Sequence, residues 1–137
     1  LTLSFNTSIL TFNEGDTPME KKQYAGAYVR EIREEKKISL RQFALKIGKT
    51  PTFVSRFERG DEQMSPSAET LKVIADVLNI DADDLIFRAN KVPADLPKIV
   101  QSHAGMAALL RTAQNLTQED LLALTEQARK KANHEDE

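Results

Sequence analysis

Between Ser39 and Gly60 of this 137-residue chain, side chains that can grip a phosphate or the edge of a base recur at helical spacing. Thr52, Ser55, Arg56 and Arg59 fall three and four residues apart, so on an α-helix they share one face. Arg56 is the most specific of them, because a guanidinium can fork two N–H groups onto O6 and N7 of guanine. Thr52 and Ser55 carry hydroxyls that donate or accept, and so can meet base edges. Arg41, Lys46, Lys49 and Arg59 are cations of the kind that bind phosphate oxygens without carrying sequence information. Ser39 and Thr50 stand at the starts of two apolar-periodic runs, where a hydroxyl caps the backbone. Phe53 is open to two readings, contact with a thymine methyl or padding of its helix against a neighbour.

Such side chains need a rigid frame, and the apolar pattern around them predicts one. From Tyr24 to Lys37, the positions Ala25, Tyr28, Val29 and Ile32 recur at three and four residues and predict a first helix. Ser39 caps a second, whose stripe of Leu40, Phe43, Ala44 and Ile47 stops at Gly48. Thr50 and Pro51 open a third, carried by Phe53, Val54 and Phe57 to Gly60. Ser67 caps a fourth with Leu71, Ile74, Ala75 and Leu78, ended by Asn79. Asp81 with Asp84 reads as a capping box for a fifth through Leu85, Ile86 and Phe87. Helices two and three, joined by a few residues, have the parts of a helix-turn-helix: small Ala44 where the helices cross, Gly48 in the turn, and Phe43, Ile47, Val54 and Phe57 to lock the angle. With Val54 and Phe57 inward, the third helix presents Thr50, Pro51, Thr52, Ser55, Arg56 and Arg59 outward, a polar and basic face suited to a major groove.

The charge distribution agrees with that placement. The net charge is -2, yet residues 19–60 carry eleven Lys/Arg against five Asp/Glu, while residues 61–137 carry eight against fourteen. A basic working face on one half and a different task for the other follow from this asymmetry. The chain has no cysteine, which excludes disulfides, zinc-thiolate sites and thiol nucleophiles. His103 and His134 are far apart and lack a ligand pattern, so no metal is expected. No cofactor is expected either, and with no Ser/His triad context and no phosphate-cradling glycine loop the chain reads as non-enzymatic. No stretch approaches the roughly 18 apolar residues of a membrane span, so no membrane partner is expected and a cytoplasmic location follows by default.

The run IREEKKISLRQFALKIGKTPTFVSRFERG from Ile32, followed by SPSAETLKVIADVLNIDADDL, resembles the phage-repressor family of Cro/CI or XRE type. Arg33, Ser39, Ala44, Gly48, the run Ser55 to Gly60, Pro66, Ser67, Leu71 and Ala75 carry the resemblance, which spans roughly residues 24–88. It implies an all-α protein, with a five-helix lambda-repressor-like domain that binds a two-fold symmetric double-stranded operator as a homodimer and acts as a transcription regulator, in the first instance a repressor. It also implies that Thr52, Ser55 and Arg56 touch bases, that Ser39 and Thr50 mark phosphate-binding helix N-termini, and that Arg33 and Glu58 form a structural ion pair. Leu40 departs from the pattern where a polar residue, often Gln, reaches the phosphate backbone. Lys49 occupies a turn position that is often apolar, and Asp61 and Glu62 stand where a basic residue would help.

The sequence divides into residues 1–18, residues 19–90 with the helix-turn-helix, and a helical region 91–137. The first segment reads as an upstream extension with Met19 as the natural start, or as an N-terminal arm that orders on DNA or adds a strand. Residues 88–97, with two prolines, form a linker or lead into a helix. Beyond them Ile99, Met106, Leu109, Leu110, Ala113 and Leu116 predict one or two short helices, and Thr117 caps a last one with Leu121, Leu122, Leu124 and Ala128. These helices pack back on the first domain or pair with a second chain. Symmetric operators ask for symmetric proteins, so dimerisation through Leu109, Leu110, Leu121 and Leu122 is the favoured reading. Two alternatives stay open: an antitoxin-type protein whose C-terminal helices hold a toxin, and a protein-binding adaptor. The resemblance adds a regulatory peptidase as a further partner.

Overall fold

The computed structural model describes residues 24–135, so the expectations for residues 1–18 and for Met19 lie outside the described residues. Every regular element among the described residues is a helix. The described residues divide into two compact units, one ending at Ala94 and the other beginning at Asp95.

Among its described residues the first unit holds five helices: α1 (Ala25–Glu35), α2 (Leu40–Ile47), α3 (Pro51–Glu58), α4 (Ala68–Leu78) and α5 (Ala82–Arg88). α2 packs on α3 and α4, α1 on α3 and α5, and α4 on α5. Their apolar stripes meet in one core built from Val29, Phe43, Ala44, Ile47, Val54, Phe57, Leu71, Ile74, Ala75, Leu78, Leu85 and Ile86, joined by Ala25 at the start of α1. Each large member contributes about 1.5–3 kcal/mol by leaving water.

The five helices stop in the same way. Lys37, Gly48, Gly60, Asn79 and Asn90 all take left-handed φ between 57° and 77°. The N–H of the next residue then turns back onto the helix: Ile38 donates to the Arg33 carbonyl, Lys49 to Ala44, Asp61 to Arg56, Ile80 to Ala75 and Lys91 to Ile86. This satisfies carbonyls that the helix itself leaves unpaired. Glycine and asparagine tolerate that conformation, and they stand at four of the five positions. Lys37 belongs to neither type, and its left-handed turn closes the end of α1.

Two local expectations for α5 are corrected. Asp81 caps the helix by accepting from the Asp83 N–H at 3.1 Å, but Asp84 does not complete a capping box. Its carboxylate lies one turn before Arg88 and accepts from Nε at 3.0 Å instead. Phe87 is half exposed rather than a core residue, and Arg88 takes the inward direction, with its guanidinium carbon 4.0 Å from the centre of the Tyr28 ring. A planar cation over an aromatic face, anchored by a carboxylate, thus joins α1 to α5. Burial pushes the Tyr28 hydroxyl above its ordinary pKa, with the Asp84 carboxylate adding to the effect.

The second unit holds α6 (Leu96–Ser102), α7 (Gly105–Ala113) and α8 (Gln118–Glu135), with α6 and α7 packed together. Thr117 caps α8, its hydroxyl accepting the Asp120 N–H at 3.1 Å. α6 and α7 contain no buried residue, and Leu109, Leu110 and Leu122 are 50%, 55% and 47% exposed, while Leu121 is half-buried.

Candidate nucleic-acid interface

α2 and α3 are joined by Gly48, Lys49 and Thr50. Gly48 stands at φ 71°, where a side chain would be strained, and its position has open space around it, so backbone conformation and not crowding selects glycine. The turn delivers α3 with a capped start. The Thr50 hydroxyl accepts the Phe53 N–H at 3.1 Å and Pro51 occupies the first helical position. α2 begins with a full capping box, in which Ser39 Oγ accepts the Gln42 N–H at 3.1 Å and Gln42 Oε1 accepts the Ser39 N–H at 3.0 Å. Ser39 and Thr50 therefore use their oxygens to hold the helix starts, and the hydroxyl protons stay available to an external acceptor.

The burial pattern of α3 fixes which face looks outward. Val54, Phe57 and Glu58 are buried, Thr52 and Arg59 are exposed, and Ser55 and Arg56 are half-buried at the boundary. Ala44 is fully buried on the facing side of α2, and Arg41, Lys46 and Lys49 are exposed. The structure thus puts Thr52, Ser55, Arg56 and Arg59 on one outward face of α3, and places the cations Arg41 and Lys46 on the exposed side of α2. Phe53 packs partly against the core and carries Lys49 Nζ 5.3 Å above its ring centre, an arrangement that matches the padding reading. Leu40 also packs partly against the core, which accounts for an apolar residue there and removes it from phosphate binding.

Three relationships hold α3 in place. The Arg33 guanidinium meets the Glu58 carboxylate through two bonds, Nε at 2.7 Å and Nη2 at 3.0 Å, while Nη1 reaches the Ile38 carbonyl at 2.8 Å. The hydrogen bond to Glu58 holds the Arg33 pKa above its already high ordinary value, so the guanidinium stays charged at every physiological pH. Gly26 lies against the end of α3, so close that a Cβ would overlap the Phe57 carbonyl oxygen. The third relationship has no counterpart in the sequence pattern: Arg56 Nε donates to Asp61 Oδ2 at 2.8 Å. Asp61 is itself held, its N–H on the Arg56 carbonyl at 3.1 Å and its Oδ1 accepting the Gln63 N–H at 2.9 Å. The Arg56 hydrogen bond, with the Gln63 N–H behind it, holds the Asp61 carboxyl below the usual carboxylate range.

Gly26 and Gln42 are supporting residues absent from the sequence expectations, for different reasons. The Ser39–x–x–Gln42 spacing is the standard capping-box signal and suffices to find Gln42. Gly26 sits among good helix formers and carries no local signal, since its role depends on the tertiary approach of α3.

Residues 29–85 match the family described as helix-turn-helix. That segment of the chain is a helix-turn-helix region. The matched segment runs from Val29 in α1 to Leu85 in α5, and so contains both helices of the motif and all of the outward face described above. No curated protein matches the chain. Among solved structures, the chain is similar to one from a SinR protein/SinI protein complex, at 19% identity and a TM-score of 0.44, over 80% of this chain and 98% of that one. In helix-turn-helix domains the second helix of the motif enters the major groove while the first crosses the backbone. In this domain those helices are α3 and α2.

Proposed function

We propose that this chain is a sequence-specific transcription regulator that reads a two-fold symmetric operator as a homodimer and represses by occupying it. The observation that carries this reading is the outward face of α3. Thr52, Ser55, Arg56 and Arg59 share it, and the helix is held from behind by the Arg33–Glu58 pair and the Gly26 approach. Base reading requires side chains fixed to within a fraction of an ångström, and a short helix capped at its start and pinned at its end provides that. Arg41, Lys46, Lys49 and Arg59 supply sequence-independent affinity, and the capped starts of α2 and α3 seat phosphates on either side.

Dimerisation is assigned to the second unit. Its helices α6 and α7 bury no residue within the chain, and its exposed Leu109, Leu110 and Leu122 favour covering by a second copy. The experiment is selection of bound sequences from a randomised duplex library, followed by affinity measurement at several salt concentrations. The proposal expects an enriched palindromic sequence and binding that weakens steeply as salt rises. Absence of salt-sensitive binding to any duplex would replace it with a protein-binding role. Enrichment of single half-sites would remove the homodimer and leave the exposed leucines to a toxin or a regulatory peptidase.

A further inference from the structure

A carboxylate in the loop that follows a DNA-reading helix is an electrostatic liability, because it repels the phosphates on either side of the groove. Asp61 occupies that place, and its environment is too constrained for an idle surface charge. Its backbone N–H closes the end of α3 on the Arg56 carbonyl, and Gly60 before it is fixed in the left-handed region at φ 77°. Oδ1 accepts the Gln63 N–H, so the side chain has one orientation. In that orientation Oδ2 faces Arg56 Nε at 2.8 Å, with both side chains about one-third exposed. The two residues are thus joined twice, once through the backbone and once through the side chains.

Resting on the DNA-binding reading above, we infer that Asp61 is a positioning residue that converts Arg56 from a phosphate binder into a base reader. A guanidinium has five N–H donors, and the contact at Nε occupies one. The four N–H groups on Nη1 and Nη2 remain, and these form the flat fork that matches guanine O6 and N7. Fixing Nε sets the plane and direction of that fork before DNA arrives, so less rotamer freedom is lost on binding. Neutralising the cation locally also weakens its attraction to the backbone phosphates, which would otherwise compete for it at every sequence. Asp61 gives up some affinity for all DNA and gains discrimination at one base pair per half-site.

The test compares the full chain with Asp61→Asn, Arg56→Ala and the double variant, in library selection and in affinity for a selected and a random duplex at two salt concentrations. The Asp61→Asn side chain would keep an oxygen for the Gln63 N–H, and unchanged far-ultraviolet circular dichroism and melting establish that the loop is intact. Asp61→Asn is expected to tighten binding to random duplex, to steepen the salt dependence by up to about one unit and to reduce discrimination at the base pair read by Arg56 about fivefold or more. In the Arg56→Ala background the same change should leave that preference untouched. If Asp61→Asn strengthens binding to selected and random duplexes by the same factor, Asp61 acts only as a local charge and the inference fails. A change in preference that persists without Arg56 means that Asp61 contacts a base itself, which overturns it equally. Should the unaltered chain select no sequence at all, the DNA-binding reading fails first and this inference with it.

Discussion

Gly26 in α1 lies against the carbonyl of Phe57 in α3, so close that no Cβ fits between them. The Phe57 carbonyl carbon would stand 2.9 Å and the Glu58 Cα 3.1 Å from such an atom, and all of these are backbone. Nothing at the contact can rotate away. The depth of α3 is therefore set by a hydrogen atom on α1.

The consequence is a reversed sign for a familiar substitution. Replacing glycine by alanine inside a helix ordinarily stabilises by about 0.5–1 kcal/mol. Gly26→Ala should instead lose at least the roughly 1–3 kcal/mol typical of overpacking, because α1 and α3 must separate as rigid bodies. Denaturant unfolding measures the stability, and the selected duplex measures the position of α3. An unchanged or raised unfolding midpoint would refute the close approach.

The Arg33–Glu58 pair allows a second test by a double-mutant cycle. Both side chains are at most one-tenth exposed, so Arg33→Met leaves the Glu58 carboxylate buried without a partner, at a cost of about 3–5 kcal/mol. Adding Glu58→Leu removes the stranded charge and should recover much of that loss. Recovery will be incomplete, since Arg33 Nη1 also holds the Ile38 carbonyl at the end of α1. If the double variant is as unstable as the sum of the two single ones, the pair is not coupled and α3 is held by packing alone.

How far the sequence discloses this molecule depends on the range of the interaction concerned. Ser39, Thr50 and Ser67 announce helix starts because a cap acts within three residues, and Gly48 and Asn79 announce helix ends for the same reason. The outward set Thr52, Ser55, Arg56 and Arg59 follows once Val54 and Phe57 are assigned to the core, since the helical period does the rest. Gly26 and the inward turn of Arg88 are invisible at that range, because each is decided by a residue far along the chain, Phe57 and Tyr28 respectively. Asp61 is the intermediate case. Counted as a charge it looks like a defect in a basic face, and only its 2.8 Å contact with Arg56 gives it a role.

That contact predicts a titration. Asp61 is held below the usual carboxylate range mainly by the Arg56 hydrogen bond, so its folded pKa lies under its unfolded one. Its contribution to stability is therefore complete above the ordinary carboxylate pKa and is lost as pH falls through the depressed folded value. Carboxyl chemical shifts followed by nuclear magnetic resonance should place the Asp61 transition below those of free carboxylates, and Arg56→Ala should move it upward. A transition that stays put in Arg56→Ala would mean that the Gln63 N–H alone sets it.

The remaining prediction concerns the second unit and the leucines it leaves in solvent. Leu109 and Leu122 are about half exposed in the single chain, so Leu109→Asp and Leu122→Asp create no buried charge there and should leave the helix-turn-helix domain with its melting transition intact. In a dimer that covers these positions, the same carboxylates would be desolvated against an apolar partner face, a cost large enough to separate the chains. Sedimentation of the variants should then give a monomer. Affinity for a whole operator, with half-sites about 34 Å apart, should fall steeply, because the two domains no longer arrive as one linked species. Affinity for an isolated half-site should barely change, since α3 and its supports are untouched. If the variants stay dimeric and keep full operator affinity, the pairing surface lies elsewhere in the chain, and Leu109 and Leu122 face a different protein.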